Sequence, residues 1–358
     1  MMDSGKSRYM NNSFSIWRIV FTFAIMLFHF VDGTTFYSEY PMFKYHWYIS
    51  VEFFFILSGF LMMQHIENTP DEDELGYIKK RIIRLYPEYF IAFMIMAVLR
   101  SFLKGLNIFK IIIPNWLELF MLQSIGTNTF PYLNNPAWYV SALLIGSYII
   151  YFLIKRYRVV FLRFVGPLLI MFSFAYMFRE YGRLENFYHT DGFLLNTALI
   201  RAVMGLTIGA YCYLVSEKYK AVIDRIPLII RTIAETGIFA GVLAFALFIE
   251  DGEYDFWFVA LFATGIVLAS QNRSFRRLND TFIVKWLDKI SYSMYLSHFN
   301  VIIILGNLLK TSSEWDWINV FIYIAVTIIV ACVYYLIANA VIKYWKRSMA
   351  KKQDERQA

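Results

Sequence analysis

Apolar runs of roughly 20 residues recur along almost the whole chain, and short loops rich in Lys and Arg separate them. A hydrocarbon core about 30 Å thick takes about 20 helical residues per crossing, and backbone groups in lipid must bond internally. A chain patterned in this way is expected to fold as an all-α, multi-pass integral membrane protein. Composition points the same way: 59% of the residues are hydrophobic and 17% are charged, against roughly 25% charged in soluble domains. An ordinary soluble enzyme is thereby excluded. The formal charge of +7 comes from bases clustered between the runs, not from one basic stripe, so nucleic acid is not expected as a partner and membrane lipids are.

About ten crossings fit the pattern: Phe14 to Val31, Trp47 to His65, Pro87 to Leu103, Pro136 to Ile154, Phe161 to Phe178, Phe193 to Val215, Leu228 to Ile249, Phe256 to Ser270, Ile290 to Leu309 and Trp317 to Ile342. A further run, Ile108 to Ile125, is broken by Pro114 and Asn115 and reads as a surface or re-entrant segment. Cytoplasmic loops carry the excess of Lys and Arg. Lys6 and Arg8, Lys79 to Arg84, Lys155 to Arg158, Lys218 to Arg225, Arg273 to Lys289 and the bases after Ile342 all fall on one side if both termini are cytoplasmic. The other side then holds Lys44, Lys104, Lys110, Arg179, Arg183, Lys310 and an acidic turn of Glu250, Asp251, Glu253 and Asp255. Residues 1–358 read as one membrane domain without a fused extracytoplasmic domain. Cys212 and Cys332 lie in apolar runs as packing residues, and no metal-ligand spacing, glycine-rich phosphate loop or nucleophile elbow is present. His46, His65 and His189 fall at or beyond crossing ends, where solvation is expected.

Ionisable side chains inside apolar runs cost at least about 2.5 kcal/mol near a helix centre and usually face a cavity or a partner. Arg18 and His29 are eleven residues apart, so they share a helix face about 16 Å apart along the axis. Alone, each has a bland reading, Arg18 as a lipid-phosphate anchor and His29 as an end residue; the shared face favours function. Arg81 and Arg84 are neighbours on one face if helical, suited either to gripping a phosphate or to anchoring at the membrane surface. Glu52 reads either as a partner for His29 or an acceptor hydroxyl, or as a solvated acid; Ser58 and Gly59 read as close-packing residues. Ser291, Tyr295 and His298 form one polar stripe, which is either an interhelical ladder or part of a reaction site. Trp138 reads as an interface aromatic or as a stacking wall for a sugar.

Taken in order, these segments resemble membrane acyltransferase family 3, whose members acylate extracytoplasmic carbohydrates. Arg18 with His29 matches the family's Arg-x10-His signature, and Phe53 to Phe60 its Phe-Phe-x-x-Ser-Gly-Phe pattern. Arg81 and Arg84 match Arg-x-x-Arg, Pro136 to Leu143 the Trp-centred segment, and Ile290 to Phe299 the Ser-Tyr-Ser-x-Tyr-Leu-x-His run. One departure stands: many members carry a glutamate shortly after the tryptophan, whereas Trp138-Tyr-Val-Ser-Ala142-Leu143 is apolar, which points to a different subgroup or acceptor. The resemblance implies a bacterial cytoplasmic-membrane enzyme that moves an acyl group, chiefly acetyl, from acyl-CoA to a carbohydrate or glycolipid hydroxyl. It implies Arg18, Arg81 and Arg84 at the donor phosphates, His29 with Glu52 as catalytic groups, and Trp138, Ser291, Tyr295 and His298 toward substrate. The implied partners include a second copy or a separate extracytoplasmic transferase. A carrier or flippase for a polar lipid or sugar, or a non-catalytic member of the fold, are the competing classes.

The charge pattern predicts topology. A reporter active only in the cytoplasm should work when fused after Ala358 or Arg225 and fail when fused after Asp251; activity at Asp251 would invert the threading.

Overall fold

The computed structural model describes residues 13–125, 132–185, 190–191, 195–308 and 316–357. Lys6, Arg8, His189, Lys310 and the predicted crossing ends Phe193 and Leu309 lie outside the described residues. Ten long helices dominate the described chain: α1 (Phe14–Asp32), α2 (Ser50–Asn68), α3 (Glu74–Lys104), α4 (Trp138–Val160), α5 (Gly166–Tyr181), α6 (Thr197–Lys218), α7 (Leu228–Phe248), α8 (Asp255–Gln271), α9 (Phe282–Leu308) and α10 (Trp317–Gln357). A two-residue ladder, Thr190–Asp191 against Leu195–Asn196, is the extended structure among the described residues.

Eight stretches are long and apolar enough to cross a bilayer. One of them, Asn135–Tyr181, spans 47 residues, or about 70 Å as helix, twice the hydrocarbon thickness. It holds both α4 and α5, interrupted by non-helical Tyr157 and a π-helical turn over Phe161–Val165. Helix α9 is not among the eight, although it has 27 residues, because Ser291, Ser293, Ser297, His298 and Asn300 dilute its apolar content. Those polar groups do not face lipid: Ser293, Ser297, His298 and Asn300 are fully buried.

Helix α3 begins earlier than the apolar run suggests. The Asp73 side chain accepts from the Gly76 amide as an N-cap, and the helix continues through Pro87 to a left-handed C-cap at Gly105. Proline lacks an N–H and disfavours a helix interior, yet here it is carried inside a 31-residue helix. The segment from Ile108 to Ile125 does not cross: it forms short helices at Ile108–Ile112 and Trp116–Leu119 and folds back under α3, where Tyr89 donates to the Glu118 carbonyl at 2.6 Å.

Helices α2 and α6 make the closest approach. A Cβ at Gly59 would lie 2.1 Å from the Leu206 carbonyl oxygen, and one at Gly209 would lie 1.9 Å from that of Ile56. Small residues permit such approaches where water supplies no driving force between helices. Gly59 is thus the packing residue expected, while its neighbour Ser58 turns to a cavity instead. Cys212 is buried and Cys332 half-buried, both free.

Gly209→Leu should force the two helices apart and destabilise the fold by about 1–3 kcal/mol, read as a lower unfolding midpoint in detergent. An unchanged midpoint would contradict the packing described.

Candidate active site

Helices α1 and α9 run side by side in matched register. Near their starts Arg18 Nη2 bonds Asp288 Oδ2 at 2.8 Å; eleven residues on along α1 and ten along α9, the rings of His29 and His298 face each other with centroids 5.2 Å apart. The shared face read from the spacing therefore has a second helix laid along it. His298 Nδ1 lies 3.3 Å from the Met294 carbonyl oxygen. A carbonyl only accepts, so that nitrogen carries the proton and Nε2 presents a lone pair. Nε2 is buried and has no partner among the described residues.

A cavity of about 370 Å³ opens between α1, α2, α3, α4, α9 and α10. Arg18, Arg81, Arg84 and Lys289 bring positive charge to it, and Thr22, Ile25, Val51, Phe54, Tyr139 and Tyr295 line its walls. A neighbouring pocket of about 480 Å³ shares Arg18, Ser58, Arg81 and Arg84 and adds His65, Tyr77 and Lys80. Because α3 is helical throughout, Arg81 and Arg84 do point to one place, as their spacing required. Nearby bases are already occupied: Lys80 pairs with Glu72, Arg156 with Glu74, Arg158 with Glu67, and Lys155 donates to the Pro70 carbonyl. Arg81 donates only to the Tyr77 hydroxyl, and neither it nor Arg84 pairs with an acid among the described residues. Burial raises the Glu72 carboxyl, but hydrogen bonds from Lys80 and His65 outweigh it and hold the group below the usual carboxylate range. Glu72 is thereby fixed at the rim as an anion paired with Lys80 and His65, and the two arginines form no ion pair among the described residues.

The cavity wall includes Ile25, one turn before His29, and Tyr295, whose ring lies 5.8 Å from that of His298. His29 itself is not in its lining. Ser291 and Tyr295 are in it, and Tyr295 donates to the Pro136 carbonyl at 2.6 Å. The polar stripe of α9 is thus a ladder and a cavity wall at once.

Membrane acyltransferase family 3, described as an acyltransferase domain, has a family model that matches residues 11–336 of this chain. The chain belongs to this family. No curated protein and no solved structure matches it.

Within the acyltransferase, several expected residues stand elsewhere than the spacing suggested. Glu52 does not meet His29: both its oxygens are held by Arg201, at 2.7 and 2.9 Å, with both side chains about 1% exposed. Trp138 is neither a belt residue nor an open wall, for it is buried with the Arg201 guanidinium 4.8 Å above its ring. His46 is not solvated; it is fully buried and bonded to Asp255 Oδ1 at 2.6 Å, while Asp255 Oδ2 accepts from Tyr48 and the Leu184 amide. His65 is half-buried against Glu72 at 2.6 Å. Asp255 accordingly leaves the acidic turn and becomes a buried knot.

Residues missed by the sequence reading carry the same signal that flagged Arg18. Arg201 and Glu235 are ionisable groups inside apolar runs; Glu235 accepts from Trp17 Nε1 at 2.5 Å, from Ser13 and from Asn272. Glu88, in the run after Pro87, accepts from the Ser293 hydroxyl and lines the cavity.

Removing one partner of a buried ion pair strands the other, at about 3–5 kcal/mol. Arg201→Met should lower the unfolding midpoint accordingly, and adding Glu52→Leu should recover most of the loss. A single variant as stable as the parent would mean the pair is not structural.

Proposed function

We propose that the protein transfers an acyl group, chiefly acetyl, from cytoplasmic acyl-CoA to a hydroxyl of a cell-surface or extracytoplasmic carbohydrate or glycolipid. In this reading the chain crosses the bacterial cytoplasmic membrane ten times, with both termini cytoplasmic. The observation that carries it is one polar wall formed by α1 and α9, with the Arg18–Asp288 pair at one end and two facing imidazoles at the other, and with Arg81 and Arg84 of α3, which form no ion pair among the described residues, at the mouth of the cavity beside it.

The geometry suits the donor. Guanidiniums bind phosphate oxygens in forked fashion, and Arg81 and Arg84 form no ion pair among the described residues. From Arg18 to His29 the helix rises about 16 Å, the length over which an extended pantetheine arm separates diphosphate from thioester. His29 makes no hydrogen bond to a described residue and is half-buried, which leaves its ring free for a reacting group. As general base, His29 takes the proton from the acceptor hydroxyl as that oxygen bonds to the thioester carbonyl carbon. The carbon–sulfur bond then breaks, and the departing thiolate of coenzyme A receives the proton. His298 Nε2, with its lone pair beside His29, is placed to accept a hydrogen bond from the imidazole or from the acceptor hydroxyl. Proton transfer of this kind contributes about 10²–10⁴-fold. Glu52 enters this scheme as the counter-ion of Arg201, holding α2 against α6.

His29→Ala should lower coenzyme A release from acetyl-CoA in vesicles by about 10²-fold or more while leaving membrane insertion intact; retained turnover rejects its role. Arg81→Ala with Arg84→Ala should raise the donor KM by about 10-fold or more, since a charged hydrogen bond is worth about 1.5–3 kcal/mol. An unchanged KM makes the two arginines topological anchors, and solute flux without coenzyme A release makes the protein a carrier.

A further inference from the structure

Glu88 is a buried carboxyl in a cavity whose mouth gathers cations for an anionic donor, a place where an acid works against phosphate binding unless it has another task. Its depth indicates that task. It lies one helical turn beyond Arg84, about 6 Å along α3, so it clears the phosphate-gripping rim. On the facing helix its partner Ser293 sits five residues past Asp288 and five before His298, about 7.5 Å from each level. The carboxyl is therefore midway between the arginine mouth and the imidazole pair.

Only one of its oxygens is spent. The Ser293 hydroxyl donates to Oε2, while Oε1 makes no hydrogen bond to a described residue. The cavity it lines has Val51, Phe54, Tyr139, Val140 and Leu143 among its apolar and aromatic wall residues. A cavity with apolar side chains in its wall and an unspent acceptor halfway along, in addition to Asp288 Oδ1 at the level of the mouth, fits a flexible apolar strand that carries an N–H at that point. The pantetheine arm of an acyl-CoA carries two secondary amides, and either protonation state of Glu88 leaves an oxygen able to accept from one of them.

We propose that Glu88 is a positioning residue for the donor. Its free carboxyl oxygen accepts an amide N–H of the pantetheine arm and so sets how far the thioester advances toward His29. The inference rests on the acyl-CoA reading above. It also makes the site selective for the arm and not merely for phosphate, because a ligand bearing the phosphates alone never reaches this depth.

Binding separates these contributions without turnover. Coenzyme A and 3′-phospho-ADP, which has the same phosphates and no arm, would be titrated against the full-length protein in detergent or nanodiscs. Glu88→Leu should weaken coenzyme A by about 10-fold and leave 3′-phospho-ADP unchanged. Glu88→Gln, whose NH2 can donate to the Ser293 hydroxyl oxygen while its one oxygen accepts from the arm, should retain most of the affinity, and Arg81→Ala with Arg84→Ala should weaken both ligands. If Glu88→Leu weakens the two ligands equally, or neither, Glu88 is only a tie between α3 and α9 and the proposal is overturned. If the unsubstituted protein binds neither ligand, the donor reading falls and takes this inference with it.

Discussion

A polar group carried into a layer of hydrocarbon finds no water to bond, so it must be met by another group of the same protein. In this chain that requirement draws the helices together. Arg201 on α6 meets Glu52 on α2, Asp255 on α8 meets His46 and Tyr48 ahead of α2, and Glu235 on α7 meets Trp17 on α1. Each contact joins helices far apart in sequence and fixes their rotation as well as their spacing. Glycines at 59 and 209 then let α2 and α6 close to backbone contact around the ion pair.

The same requirement builds the site. Helix α9 is too polar to face lipid, and its stripe turns inward against α1 and α3. The result is a wall whose groups are partly satisfied by neighbours and partly left open. Ser293 and Tyr295 spend their hydroxyls on Glu88 and the Pro136 carbonyl. The Nε2 of His298 stays unpaired among the described residues. At the rim, Glu67 at the end of α2, Glu72 in the loop and Glu74 at the start of α3 neutralise Arg158, Lys80 and Arg156 but not Arg81 or Arg84. Selective neutralisation, not a surplus of positive charge, makes the mouth a place for an anion.

Glu52 and Trp138 show why matching a motif does not by itself give a residue's role. Trp138 falls in a segment that resembles the family and Glu52 directly precedes one, yet here both meet Arg201 and not the histidines. A buried charge attracts the nearest opposite charge that can approach with good geometry, and nothing in the one-dimensional pattern tells which of several apolar runs carries it.

By itself, the sequence determined the helical membrane class, the broken 108–125 segment, the shared face of Arg18 with His29, and the pairing of Arg81 with Arg84. These follow from run length, from proline chemistry and from the 100° helical repeat, all of which act within one segment. The tertiary structure alone decided that His298 lies opposite His29, that His46 is buried against Asp255, that Glu52 belongs to Arg201, and that Glu88 looks into the cavity shared with Arg81 and Arg84. Those outcomes depend on which helices become neighbours and how each is turned about its own axis. That choice is set by the sum of many long-range contacts, which no local repeat encodes.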